Sequence, residues 1–238
     1  MLGTIQGLSL AVACFAGGHF ALSSLGVRRR LVHIFGEGPF RAIYSVVALV
    51  SLIWAILAYK SAPFHPLWDA ERQLAAIPGI LMFFACILVV AGITTRNVTS
   101  VGGEAMAKEP DPVSGIVTIT RHPFLWGVAL WSVSHIAVNG DLANIIFFGG
   151  FALLALGGMA HIDYRRDVSM GPDWGPIAMT TSAIPFLAAL QGRHAIDWAG
   201  IGWRRAVGGA ALYAVLLIVH PWIAGVSILG QYLTGTPQ

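Results

Sequence analysis

Six long apolar runs, at positions 4–26, 40–60, 74–95, 123–138, 142–162 and 205–229, are separated by shorter polar stretches. A bilayer hydrocarbon core of about 30 Å takes about 20 apolar residues of helix. The pattern therefore predicts an all-α polytopic bundle of about six transmembrane helices, with 1–238 as a single transmembrane domain. Between the fourth and fifth runs, Asn139, Gly140 and Asp141 form a short polar turn. That turn predicts an antiparallel helical hairpin. Two connections are long, 96–122 and 163–204, and within the second the apolar stretch 182–190 is too short to cross. It is read as an interfacial or re-entrant segment.

Composition agrees with this pattern. The chain is 56% hydrophobic and 11% charged, with a mean hydropathy of +0.74. Soluble domains carry about a quarter charged residues, so there is too little charge here to cover a water-facing surface. The 28 glycines and 8 tryptophans suit close helix approach in lipid and anchoring at its borders. A pI near 9.1 comes with a net charge of only +3 and no basic stripe, which argues against a nucleic-acid partner. Cys14 and Cys86 stand alone in apolar runs, without metal-ligand spacing.

Charge also gives an orientation. No Lys or Arg precedes the first run, and Arg28, Arg29 and Arg30 follow it, the reverse of a signal peptide. With six spans and an outside N-terminus, the loops on the cytoplasmic side hold twelve of the 14 basic residues, leaving Lys60 and Arg72 outside. This is the asymmetry of the positive-inside rule, and it predicts that both termini lie outside.

Ionisable groups at membrane depth are costly, and each is a candidate for function. The spans hold almost no carboxylates, which argues against a relay of paired acids. They hold histidine instead: His19, His135, His161 and His220, with His122 at the entrance to the fourth span. Neutral imidazole is the least costly polar metal ligand to bury and suits iron. Two histidines on facing helices would ligate a haem from both sides. The competing reading for any one of them is a hydrogen bond to a neighbouring helix. Along a helix at 1.5 Å per residue, His19 lies about 10 Å from the cytoplasmic end of its span. His135 lies about 18–20 Å from that end and His220 about 22 Å, so depth matches His135 with His220 better than with His19.

Arg121-His122-Pro123 places proline in a first helical turn, with two basic groups ahead of it. They would bind an anionic head group or substrate, or Arg121 would simply snorkel. Asp163, Tyr164, Arg165, Arg166 and Asp167 close the fifth span on the same side, where an ion-pair cluster with Arg121 is expected. Trp174 and Phe186 suit an interfacial belt.

Several ordered motifs carry a resemblance. They are Gly18-His19, Gly36-Glu37-Gly38-Pro39-Phe40-Arg41, Pro66-Leu67-Trp68-Asp69, Ile119-Thr120-Arg121-His122-Pro123, Trp126-Gly127, Leu130-Trp131, Ser134-His135 and Asn139-Gly140-Asp141. Ser182 to Phe186, Gln191-Gly192-Arg193 and His220-Pro221 follow. Taken together they resemble the NnrU family of bacterial membrane proteins and, more distantly, the plant 15-cis-ζ-carotene isomerases. The resemblance implies a bacterial cytoplasmic membrane and a link to nitric oxide and denitrification metabolism. It also implies a haem b cofactor, with His19 and His135 as iron ligands, and cis-trans isomerisation of a lipid-soluble polyene. A cysteine proposed as an alternate ligand in the isomerases falls on Ser132, and serine is a poor ligand for iron.

The Arg121-His122-Pro123 stretch also resembles the isoprenylcysteine and phospholipid methyltransferases. That resemblance implies an S-adenosylmethionine site lined by Arg121 and His122, although the acidic pair of those enzymes is replaced by Asp163-Tyr164-Arg165-Arg166. A third expectation is a non-enzymatic accessory protein of a respiratory complex.

Overall fold

The computed structural model describes residues 2–68, 76–100, 102–109 and 112–228. Ten α-helices follow in order, and no strand is found among the described residues. They are α1 (Ile5–Ser23), α2 (Leu25–Phe35), α3 (Glu37–Ser61), α4 (Ala76–Thr94), α5 (Pro123–Val138), α6 (Leu142–Met170), α7 (Trp174–Thr180), α8 (Leu187–Leu190), α9 (Trp198–Ile201) and α10 (Trp203–Ala224).

Among the described residues, five helical stretches are long and apolar enough to cross a membrane: Ile5–Ser23, Glu37–Lys60, Ile77–Thr94, Leu142–Thr180 and Trp203–Ala224. The remaining predicted span, α5, has 16 residues. At 1.5 Å each it is about 24 Å long, short of a hydrocarbon core. Pro123 starts it and Asn139 ends it, and it packs between α4 and α6 rather than standing alone in lipid. The first two residues of the predicted third span, 74 and 75, the predicted end at 229, and Arg72 and Asp69 lie outside the described residues.

The long helices form a row in the order α3, α1, α6, α5, α4, α10. The centre of one cluster is Leu8, Ala11 and Val12 of α1, Ala55 and Ala58 of α3, and Phe147 and Phe148 of α6. The alanines bring α1 and α3 close, and the α6 rings fill the space between them. By contrast, Val46, Leu49, Val50 and Ile53 on α3 and Val215, Ile218 and Trp222 on α10 are exposed. Such faces are stable only against lipid.

Asp141 caps α6 by accepting from the amides of Ala143 and Asn144. The amides of Leu67 and Trp68 donate to the Gly140 carbonyl, and Leu142 donates to His65. A Cβ at Gly140 would sit 1.9 Å from the Trp68 carbonyl oxygen, so only glycine fits this junction. Gly209 plays the same part between α10 and α4, where a Cβ would meet Ile87 Cα at 2.5 Å. Gly209→Ala is therefore expected to push α10 off α4 and cost about 1–3 kcal/mol, read as a lower thermal midpoint in detergent. An unchanged midpoint would mean that α10 is free to shift.

The structure adds to the sequence reading in three places. Residues 27–35, read as a loop, belong to the arginine-bearing helix α2, which buries none of its residues. The fifth span continues as helix to Met170. The segment 182–190 does not form a continuous helix: Ser182 to Phe186 run irregularly beside the start of α5, and only Leu187–Leu190 turns helical. There Arg121 N–H donates to Ser182 O and Phe186 N–H to Ile119 O. The Trp126 indole and the Thr120 hydroxyl both donate to Ala183 O. These bonds satisfy the backbone that irregular structure leaves open.

Candidate functional site

The intramembrane histidines fall into separate settings. His135, near the end of α5, donates from Nδ1 to the Trp131 carbonyl, one turn earlier, at 2.8 Å. A carbonyl oxygen can only accept, so in the neutral ring Nδ1 carries the hydrogen and Nε2 keeps its lone pair. One face of the ring stacks on Phe148 of α6, with centroids 4.6 Å apart. His220 of α10 lies 6.5 Å away between centroids, with 27° between the ring planes. Its Nδ1 is also occupied, by the Val226 carbonyl at 2.8 Å. Both rings therefore present an unprotonated Nε2, the state in which imidazole binds a metal.

His19 has the same local device, an Nδ1 bond to Phe15 O at 2.7 Å, but a different neighbourhood. Its ring meets Phe15 and, at 5.5 Å, Tyr44 of α3. Phe15, Phe151 and Trp131 form a chain of rings between it and His135, with centroid steps of 5.1 and 5.3 Å. The structure thus joins His135 to His220 directly, and it joins His19 to His135 only through intervening aromatics. His161 bonds through Nε2 to Ser23 Oγ at 3.0 Å, linking α6 to α1. Ser132 is buried and donates to Val128 O of its own helix at 2.9 Å.

Arg121 and His122 stand at the arginine-rich end and converge on Asp163 of α6. Arg121 Nη2 donates to Asp163 Oδ2 at 2.7 Å, with Nε bonds at 3.0 and 3.1 Å. Its Nη1 donates to Thr181 Oγ1 at 3.2 Å, and the guanidinium lies 5.7 Å from the Trp174 ring. The His122 side chain is 1% exposed and donates from Nε2 to Asp163 Oδ1 at 2.8 Å. The two basic groups that sequence placed at an anion or methyl-donor site thus already hold an internal anion. They clasp the start of α5 to the end of α6 and to the following loop. Trp174, read as part of an interfacial belt, is instead buried at 4% exposure beneath Arg121. The expected ion-pair cluster forms, and of its two acids Asp163 is the one that Arg121 and His122 take. A signal was present, because a helical hairpin brings the start of α5 and the end of α6 to the same level.

Two loop carboxylates complete this end. Glu104 pairs with Arg166, whose Nη2 also donates to Ser100 O at 2.7 Å. Asp197 accepts from the amides of Gly115 and Gly200, both at 2.8 Å, tying the turn Gly115–Thr118 to α9. Those amide bonds hold its carboxyl below the usual carboxylate range. A depressed folded value adds stability above the unfolded value of about 3.9, and that stability is lost as pH falls through the folded one. The wild-type protein should therefore lose thermal stability below about pH 4 more steeply than Asp197→Asn. Parallel pH profiles for the two proteins would show that Asp197 does not carry this dependence.

The family model described as NnrU protein matches residues 7–228. Among curated proteins, the chain is 26% identical over 194 residues to the chloroplastic 15-cis-zeta-carotene isomerase of Arabidopsis thaliana, covering 79% of this chain and 51% of the relative. The chloroplastic 15-cis-zeta-carotene isomerase of Zea mays is 26% identical over 191 residues, covering 78% and 50%. The chain thus spans about half the length of the curated relatives it matches. No solved structure matches. A match over nearly the whole chain, on a row of membrane-length helices carrying paired imidazoles, places this protein in the NnrU family.

Proposed function

We propose that this protein is a membrane isomerase acting on a polyene, with a haem b held by His135 and His220. The observation that carries the haem is the 6.5 Å separation of two imidazoles whose Nδ1 atoms are both engaged by carbonyls. Two imidazoles from separate helices would hold a haem iron between them. The donor set fits the group: two neutral imidazoles oriented by main-chain bonds. Among the described residues no cluster of three or more His, Cys, Asp or Glu side chains offers a competing metal site. When bound, the haem would supply an iron centre that acts on the π-system of the substrate.

The chain's own residues supply the surroundings. Trp131, Phe147, Phe148 and Phe151 make a continuous group of rings beside His135. Flat aromatic faces suit a conjugated polyene, which offers dispersion and stacking but no hydrogen bonds. A cis-trans isomerisation transfers no atom, so it needs no acid–base pair, and among the described residues no carboxylate is bonded to either imidazole. The basic end is proposed to face the cytoplasm of a bacterial cell.

The isomerase reading is tested by incubating the detergent-purified, haem-replete protein with a 15-cis polyene in the dark and separating isomers by chromatography. Conversion to the trans isomer by the wild type, lost when Trp131 and Phe148 are both replaced by leucine, is the expected result. No conversion by a protein with full haem occupancy would reject the isomerase role.

The methyl-donor reading is disfavoured by the Asp163 clasp, which uses the guanidinium expected to meet the donor.

A further inference from the structure

Helix α2 joins the end of α1 to the start of α3, both of membrane length, so it lies at the level where the hydrocarbon ends. Extended backbone at Ser24 and a positive φ of 84° at Gly36 separate it from both spans. Its sides are sorted. At about 3.6 residues per turn, Val27, Leu31 and Ile34 fall on one flank and Arg29, Arg30 and His33 on the opposite one. Between the flanks, Leu25, Arg28 and Val32 are partly buried, and Arg28 reaches back to Glu37 and lies over the Phe40 ring of α3. Val27 and Ile34 are exposed, and so are Arg29, Arg30 and His33.

The charges at this edge do not balance. Glu37 is the only acid among the first 60 residues. Arg28 pairs with it at 2.5 Å and Arg41 at 2.9 Å. Arg29 and Arg30 form no ion pair among the described residues. A helix with one apolar and one basic flank is stable in the plane of a bilayer surface, and each basic group there is drawn to anionic lipid.

We infer that α2 lies along the bilayer surface and gathers anionic phospholipids, their phosphates on Arg29 and Arg30, with Val27 and Ile34 dipping into the hydrocarbon. A lipid surface is favoured over an acidic protein because both flanks need a partner. An acidic protein would answer the arginines and leave Val27 and Ile34 in water. Ile43, Val46 and Val47, in the first three turns of α3, are exposed as well and need the same hydrocarbon. The inference rests on neither the haem nor the sidedness of the bundle.

Nitroxide quenching in the reconstituted full chain tests it. The two native thiols, Cys14 and Cys86, are removed by Cys14→Ser and Cys86→Ala, and a fluorophore is attached at Ile34→Cys or at His33→Cys. The bilayer holds equal phosphatidylglycerol and phosphatidylcholine, and one lipid at a time carries a nitroxide high on its acyl chain. The label at position 34 should be quenched more strongly than the label at 33, since one flank faces hydrocarbon and the other water. Around position 34, phosphatidylglycerol should be enriched about fivefold over phosphatidylcholine. Arg29→Gln with Arg30→Gln should bring the two lipids level. Arg29→Lys with Arg30→Lys should keep the preference, which separates charge from misfolding. Arg204→Gln, on an arginine lying over Trp203 at the start of α10, should change nothing. Equal quenching by the two lipids, or a preference that survives the double glutamine variant, would overturn the lipid site. Labels at 33 and 34 quenched alike would overturn the flat placement. A preference lost just as much with Arg204→Gln would belong to the net charge of the chain and not to α2.

Discussion

Alanine at His135 or at His220 is expected to strip the protein of haem, whereas alanine at His19 leaves occupancy near that of the wild type. The expectation follows from placement. The His135 and His220 rings are 6.5 Å apart, while His19 faces Tyr44 and Phe15 in another part of the row. With a haem held by both imidazoles, losing either would leave the other to hold the iron alone. Loss of a supporting outer-shell partner already costs 10–100-fold in metal affinity, so loss of a ligand should cost at least about 100-fold. The readout is haem per protein after purification, by pyridine haemochrome. The pair implied by the plant isomerases makes the opposite forecast for two of these variants. If His19→Ala loses haem and His220→Ala keeps it, the pair proposed here is wrong.

The second large effect is structural. Asp163→Ala should destabilise the protein by about 3–5 kcal/mol, the usual cost of leaving a buried charge without its partner. The Arg121 side chain is 13% exposed and loses three bonds to the carboxylate at once, while the His122 ring loses its bond to the same group. A double variant, Arg121→Met with Asp163→Ala, should recover part of the loss by removing the orphaned charge. Unfolding in detergent by heat or denaturant measures both. If Asp163→Ala unfolds like the wild type, the clasp does not hold the α5–α6 end together.

Much of this molecule is readable because lipid imposes a simple rule. A run of about 20 apolar residues has few alternatives to a helix, so the positions of α1, α3, α4, α6 and α10 follow from hydrophobicity alone. Where water competes with lipid the rule weakens. Arg28, Arg29 and Arg30 mark a boundary in hydropathy but do not forbid a helix, and α2 forms through them with every residue at least partly exposed. Ser182 to Phe186 read as apolar, yet the chain there bonds sideways to Arg121, Ile119, Thr120 and Trp126. Those partners lie far away in sequence.

The same division holds for the site. Depth along ideal helices brings His135 level with His220, and the structure places these rings side by side. It also puts His19 about 8–10 Å from the level of His135, and in the structure His19 meets Phe15 and Tyr44. The partner of Arg121 is 42 residues away, and the sequence places it in a cluster holding Asp163 and Asp167 without saying which acid is consumed. The burial of Trp174 was hidden for a like reason: its indole packs with Val98, Val113 and Ile177, partners set by tertiary structure, and Arg121 lies 5.7 Å from its ring.

The central claim is that imidazoles from α5 and α10 hold one iron in this bundle. The visible absorption spectrum of the wild-type protein, purified from haem-replete cells and recorded oxidised and then reduced, tests it most directly. The account predicts a Soret band with the sharp visible bands of iron bound by two nitrogen ligands. A protein that folds and purifies in good yield without any Soret band would contradict it.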